Sequence, residues 1–103
     1  MYLVREVFHC QPGKVRPLVQ KFQAMAKLGE KAGMPPMRIM TDFCGDAYWT
    51  LVAEMEVPSL QAYEEMMSQA PASEADKKAW EEIMKDYHEL VSHGRREIYK
   101  IEG

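Results

Sequence analysis

The sequence predicts a single α+β domain with its elements in the order β-α-β-β-α-β. Three observations carry this. A chain of 103 residues is near the commonest size for one domain and too short for two, so residues 1–103 are read as one unit. Two long segments, one from Val15 and one from Ser73, repeat apolar residues at three- and four-residue steps, the period of a helix. Four others are short, rich in β-branched and aromatic residues, and bounded by turn residues, which is the pattern of strands.

Taken in order, Tyr2 to Cys10 is the first strand, stopped by Gln11-Pro12-Gly13. Val15, Leu18, Val19, Phe22, Met25, Ala26 and Gly29 then form one helical stripe. Pro17 fits only in the first turn, where its missing N–H costs nothing, so the helix begins near Lys14 and stops at Gly33, ahead of Pro35-Pro36. Met37–Cys44 and Tyr48–Val57 read as a hairpin turning at Gly45-Asp46. A two-residue turn pairs Thr41 with Thr50 and Ile39 with Val52. A three-residue turn shifts the pairing by one residue and swaps the faces of one strand.

Ser59 is the N-cap of a short helix carrying Leu60, Tyr63, Met66 and Met67 inward. Ala70-Pro71-Ala72 interrupts it. Ser73-Glu74-Ala75-Asp76 then resembles a capping box, with Asp where Glu is usual. The second long helix follows, with a stripe of Trp80, Ile83, Met84, Tyr87, Leu90 and Val91 that Gly94 closes as a C′ residue. Arg95 to Ile101 is the last strand. This order is the ferredoxin-like, split βαβ arrangement: a four-stranded antiparallel sheet, first and third strands central, helices on one face, the other face bare.

Composition narrows the function. The apolar fraction is 47%, normal for a globular protein. The formal charge is −3 with both signs interspersed, so no basic block exists to neutralise phosphates and nucleic acid is not an expected partner. No stretch approaches the roughly 18 apolar residues of a membrane span. Charge follows directly on Met1-Tyr2-Leu3-Val4, which reads as a strand and not a signal peptide. With two cysteines and no export signal, the expected location is the cytoplasm, with Cys10 and Cys44 as free thiols.

The third strand indicates where a function would sit. Trp49, Leu51, Ala53, Met55 and Val57 alternate as an apolar set that should face the helices. The opposite set, Tyr48, Thr50, Val52, Glu54 and Glu56, mixes aromatic, apolar and acidic groups. Such a face suits a half-wet interface or cavity between two copies.

The first strand ending in Pro12-Gly13-Lys14 before an amphipathic helix resembles the dimeric α+β barrel proteins. So does the run Glu54-Met55-Glu56-Val57-Pro58-Ser59-Leu60-Gln61-Ala62-Tyr63. The resemblance is closest to the NIPSNAP-like and antibiotic-biosynthesis-monooxygenase-like branches and covers nearly the whole chain. It implies that two sheets pack their open faces into a barrel with a cavity in each half. Members include cofactor-free monooxygenases, haem-degrading enzymes and small isomerases. The enzymes often carry Trp or His where this chain has Glu56, and a His is frequent where Tyr63 stands. Both departures weigh against the monooxygenase and haem-degrading chemistries.

The candidate catalytic residues are His9, whose imidazole suits a general base or a substrate donor, and Glu54. Arg5, Tyr48, Thr50 and Glu56 are the candidate substrate-binding residues. Arg5 and Glu54, both on central strands, pair with each other, hold a polar substrate group, or form an ion pair between protomers. His88 and His93 lie five apart, which is not a metal-binding step on a helix, and both read as surface residues. Cys10 adjoins His9 but points to the opposite face of the strand, which argues against a dyad. No metal or cofactor is expected.

The leading expectation is a NIPSNAP-like homodimer that binds or transforms a small apolar or aromatic molecule without a cofactor. An enzyme of this kind would be monooxygenase- or isomerase-like. A non-catalytic structural or regulatory dimer is the second reading. An RNA-recognition domain shares the element order but needs base where strand three carries acid.

Overall fold

The computed structural model describes residues 1–69 and 73–103. β1 (Tyr2–Cys10) is followed by α1 (Val15–Lys31), β2 (Arg38–Thr41), β3 (Thr50–Val57), α2 (Leu60–Gln69), α3 (Glu74–Met84), a single 3₁₀ turn at Tyr87–Glu89, and β4 (Val91–Lys100). The strands form one antiparallel sheet in the order β2-β3-β1-β4, with β1 and β3 central as the element order predicts. This is the ferredoxin-like α+β fold.

Local signals place the helices. Pro17 is the third residue of α1, where no intrahelical N–H is needed. At the other end Gly33 takes φ +77°. Its N–H donates to the Glu30 carbonyl at 3.1 Å, and Met34 N–H donates to the Gly29 carbonyl at 2.9 Å. That bond pair is a Schellman motif, which requires a left-handed residue. Ser59 Oγ accepts from Ala62 N–H at 3.0 Å and Ser73 Oγ from Asp76 N–H at 3.1 Å, so both expected N-caps form. The break expected at Ala70-Pro71-Ala72 lies outside the described residues.

Alternation along the strands sorts the two faces. Cys10, Leu51 and Ala53 pack beneath Leu18, Val19, Phe22 and Met25 of α1. Phe8 meets Phe22 edge-on, with ring centroids 5.1 Å apart. A second cluster joins Val4 and Val57 to Tyr63 of α2. Leu51, Ala53 and Val57 therefore face the helices as their spacing predicts. No helix among the described residues is long and apolar enough to cross a membrane.

The structure corrects the sequence reading at several places. The β2–β3 connection is not a tight hairpin: β2 ends at Thr41, β3 starts at Thr50, and residues 42–49 form a loop. Thr41 pairs with Leu51 and Ile39 with Ala53, the register of an odd-length turn and not of a two-residue one. Side chains compete with the ladder here. Asp42 Oδ1 accepts from Thr50 N–H at 2.8 Å, and the Thr50 hydroxyl donates to the Ala47 carbonyl at 3.0 Å. Trp49, at φ +58°, leaves the strand conformation and is exposed, so it does not join the apolar set facing the helices.

The second long helix is shorter than its stripe. α3 stops at Met84, because Lys21 of α1 donates its ammonium to the carbonyls of Ile83 (2.8 Å) and Lys85 (2.7 Å) and Asp86 turns left-handed at φ +63°. Tyr87, Leu90 and Val91 still pack on the main core, from the 3₁₀ turn and β4. Trp80 is 40% exposed, and Leu60 and Met67 are each 48% exposed, so none of the three is core. Gly94 is not a helix cap but a β4 residue opposite Phe8. A Cβ there would lie 2.9 Å from the Val7 carbonyl oxygen and 3.2 Å from Phe8 Cδ1.

Gly94→Ala should accordingly destabilise the fold by about 1–3 kcal/mol, since neither backbone nor a packed ring yields cheaply. Urea denaturation measures it, and an unchanged midpoint would mean that β1 and β4 have more room than their pairing implies.

Candidate functional site

The face that the helices leave bare is built by all four strands. By alternation it carries Leu3, Arg5, Val7 and His9 from β1, and Thr50, Val52, Glu54 and Glu56 from β3. β2 adds Arg38 and Met40, and β4 adds His93, Arg95, Glu97 and Tyr99. The registers align Arg38, Glu54, Arg5 and Glu97 in one row across the sheet, with alternating sign.

Glu54 is the centre of that row. It is 5% exposed and accepts from two guanidiniums: Arg5 Nε at 2.6 Å and Arg38 Nη2 at 2.9 Å. Burial pushes its carboxyl up, but the hydrogen bonds and charges of Arg38 and Arg5 outweigh burial and hold it below the usual carboxylate range. Both oxygens are thus committed to cations, an arrangement better suited to ion pairing than to proton transfer. The Arg5–Glu54 bridge is made within one chain.

A second knot lies on β4. Glu97 accepts from Arg95 Nε at 2.7 Å and from the Tyr99 hydroxyl at 3.0 Å, with Arg5 Nη1 3.8 Å away. The Arg95 bond first, then that of Tyr99, draws the Glu97 carboxyl down, and the same bond to Glu97 raises the Tyr99 phenol. Arg95 continues to His9, its Nη1 lying 3.3 Å from Nε2, and the His9 and His93 rings stack with centroids 4.5 Å apart. Next to the charges lies an apolar strip: Val7, 4% exposed, opposite Val52, which pairs in turn with Met40.

Of the six residues singled out in the sequence, Arg5 and Glu54 are in contact, and His9 is two positions along the same side of β1. Thr50 is on this face but buried, its hydroxyl spent on the Ala47 carbonyl. Glu56 is exposed at the end of β3, opposite Leu3. Tyr48 is not a strand residue: it belongs to the 42–49 loop and is 84% exposed. Arg38, Arg95, Glu97 and Tyr99 were not singled out, and His88 and His93, expected on the surface of the second long helix, lie in the 3₁₀ turn and on β4. Parity alone marks Arg95, Glu97 and Tyr99 as sharing a face, but His93 joins them only because β4 starts at Val91, and Arg38 joins Glu54 only in the observed register. Cys10 is buried beneath the helices, and burial, then the charge of Asp42, pushes its thiol up, so it is no nucleophile for this face.

A shallow depression of about 210 Å³ lies where this face meets the start of β2, lined by Leu3, Arg38, Glu54 and Glu56 together with Pro36, Met37 and Met55. A larger groove of about 570 Å³ runs on the helix side, between α2 and β4. Among the described residues no three His, Cys, Asp or Glu side chains converge as metal ligands.

No protein-family model and no curated protein matches the sequence. Solved structures do match its fold. An uncharacterized NIPSNAP domain protein from Burkholderia xenovorans superposes with a TM-score of 0.77 at 14% identity, over 99% of this chain and 95% of that one. The fold is that of NIPSNAP domain proteins. A NIPSNAP family protein of unknown function from Agrobacterium tumefaciens gives 0.78 at 13% identity, over 98% and 87%. A putative antibiotic biosynthesis monooxygenase from Nitrosomonas europaea gives 0.68 at 11% identity, over 98% of each chain. The resemblance read from Pro12-Gly13-Lys14 and the Glu54–Tyr63 run thus points to the fold that the NIPSNAP structures share.

Glu54→Gln tests the row. At neutral pH it should cost about 2 kcal/mol, less than the 3–5 of a fully buried pair, because Arg5 and Arg38 can rehydrate. A carboxyl lowered by folding contributes stability that is complete above the ordinary glutamate range and is lost as pH falls through its lowered value. The gap between wild type and variant should therefore close on acidification. Denaturation curves measured from neutral to acid pH check this, and a gap that widens would contradict the ion-pair assignment.

Proposed function

We propose that the chain works as a homodimer that buries the bare sheet face and encloses a small apolar or aromatic molecule there, carrying or transforming it without a cofactor. One observation supports this above the others: Glu54 and Glu97 pair with Arg5, Arg38 and Arg95 inside a single chain, next to the apolar Val7–Val52–Met40 strip. A face whose charges are already paired can be buried against a second copy at modest cost. A domain of 103 residues also gains from the added burial.

In this reading His9 and Glu54 are the polar groups nearest the enclosed molecule, and Arg5 and Thr50 line the space. Glu56 and the Tyr48 loop form its rim. The exposed free thiol of Cys44 suits the reducing cytoplasm. The shallowness of the depression on this face supports a second reading, a structural dimer whose interior its own side chains fill.

Sedimentation at micromolar concentration should give a dimer for wild type and a folded monomer for Val52→Asp, which puts an unpaired charge into the apolar strip. A wild-type monomer overturns the proposal. Native mass spectrometry separates the two readings: added mass on the dimer supports an enclosed molecule, and bare dimers support the self-filled one.

A further inference from the structure

The 42–49 loop is tied down, yet its aromatic side chains pack on almost nothing. Trp49 sits at φ +58°, a left-handed conformation that is costly for a bulky residue. Hydrogen bonds keep it there. Cys10 N–H donates to the Trp49 carbonyl at 2.8 Å, and Asp42 N–H to the Thr50 carbonyl at 3.2 Å. Thr50 returns its own N–H to Asp42 Oδ1 and its hydroxyl to the Ala47 carbonyl. For all this, Phe43 is wholly exposed, Tyr48 is 84% exposed and Trp49 44%. Three aromatic residues held out on one short, strained loop mark a contact surface.

The loop stands on a definite side of the sheet. Thr50 lies on the bare face by alternation, and its hydroxyl bonds the Ala47 carbonyl. The backbone at 47 therefore rises on the bare side and helps to bury Thr50, which is 7% exposed. Arg95, on the same face, holds its proton more firmly than usual, first through its bond to Glu97 and in part through the charge of Asp46. The loop is thus a raised lip at the His9 end of the face. The depression lined by Leu3, Arg38 and Glu56 is at the other end of β3. From Thr50 to Glu56 is about 20 Å of strand.

A lip raised on the face that packs against a second copy has to meet that copy. A two-fold axis between the faces either runs along the strands, setting lip against lip, or across them, setting each lip over the far end of the other sheet. Charge separates the two. The lip carries Asp42 and Asp46 and no cation, so lip on lip brings four carboxylates together. The depression offers apolar Leu3, Pro36 and Met37 beside Arg38. The Arg38 side chain is 72% exposed and spends only Nη2 on Glu54 among the described residues. Glu56, the like charge there, is exposed and screened by water.

We propose that in the homodimer the 42–49 lip of each copy closes the depression of the other, with Phe43 and Tyr48 over Leu3, Pro36 and Met37 and the lip carboxylates near Arg38. Each depression is then incomplete without the second copy. This rests on the reading of the bare face as the dimer interface and adds which end meets which.

The cysteines of the chain test it directly, because Cys44 is an exposed free thiol in the lip and Cys10 is buried. Glu56→Cys puts a second thiol at the rim of the depression. Within one chain the two are too far apart to join, since a disulfide needs Cα atoms within about 7 Å. Oxidation with diamide at micromolar protein, followed by non-reducing electrophoresis, should give a covalent dimer for Glu56→Cys and none for wild type. Adding Cys44→Ser to Glu56→Cys should abolish it. A cross-linked wild type means lip on lip and overturns the proposal, as does a cross-link that survives Cys44→Ser. Phe43→Ser, at a wholly exposed position, should leave the monomer folded and raise the dimer Kd about thirtyfold in sedimentation, the loss of one aromatic anchor. An unchanged Kd, or a Glu56→Cys dimer that does not cross-link, removes the lip contact alone, whereas a wild-type monomer removes the dimer itself.

Discussion

A buried carboxylate on a central strand organises the bare face of this sheet. Glu54 has only 5% of its surface in water, and an ionised group there is tolerable only with partners. Arg5 and Arg38 supply them from the strands on either side. Three strands are thereby held in one register, because a slip by one residue would move Glu54 against the apolar face and leave both arginines unpaired. The row continues through Glu97 to Arg95 and His9 on the other flank, so the charge order of the whole face follows from that one pairing.

The helix side is held by different physics. Leu18 and Leu51 have no exposed surface, and the β1–β3 pair is packed beneath α1 by nondirectional burial. Polar groups act there only at the ends: the Schellman turn at Gly33 and the Lys21 ammonium on the last carbonyls of α3. One sheet therefore has a dry side that fixes the fold and a polar side whose pairing fixes which side chains can meet a ligand. His93 and Arg95 belong to the second side through the same β1–β4 register that places Gly94 against Phe8.

Short-range patterns carried over well from sequence to structure. The caps at Ser59 and Ser73, the first-turn Pro17, and the alternation of Leu51, Ala53 and Val57 each depend on residues within one turn or one strand. Where reading failed, a distant group had intervened. The apolar stripe through Tyr87, Leu90 and Val91 named core residues correctly but assigned them to a helix, because the Lys21 contacts that end α3 lie more than sixty positions away in the chain. The Gly45-Asp46 turn signal was overridden by Asp42 and Thr50, whose side chains capture backbone groups that a tight hairpin would use.

The sequence by itself determined the order of the elements, the ferredoxin-like arrangement and the division of β3 into two faces, because period and capping are local properties of a chain. It also placed Arg5 and Glu54 on the two central strands. Only the tertiary structure decided which groups touch: Arg38 with Glu54, Arg95 with His9, and His93 stacked on His9 beside Ser92. Those contacts depend on cross-strand register and on loop length, and neither is encoded in the spacing of residues along a single strand.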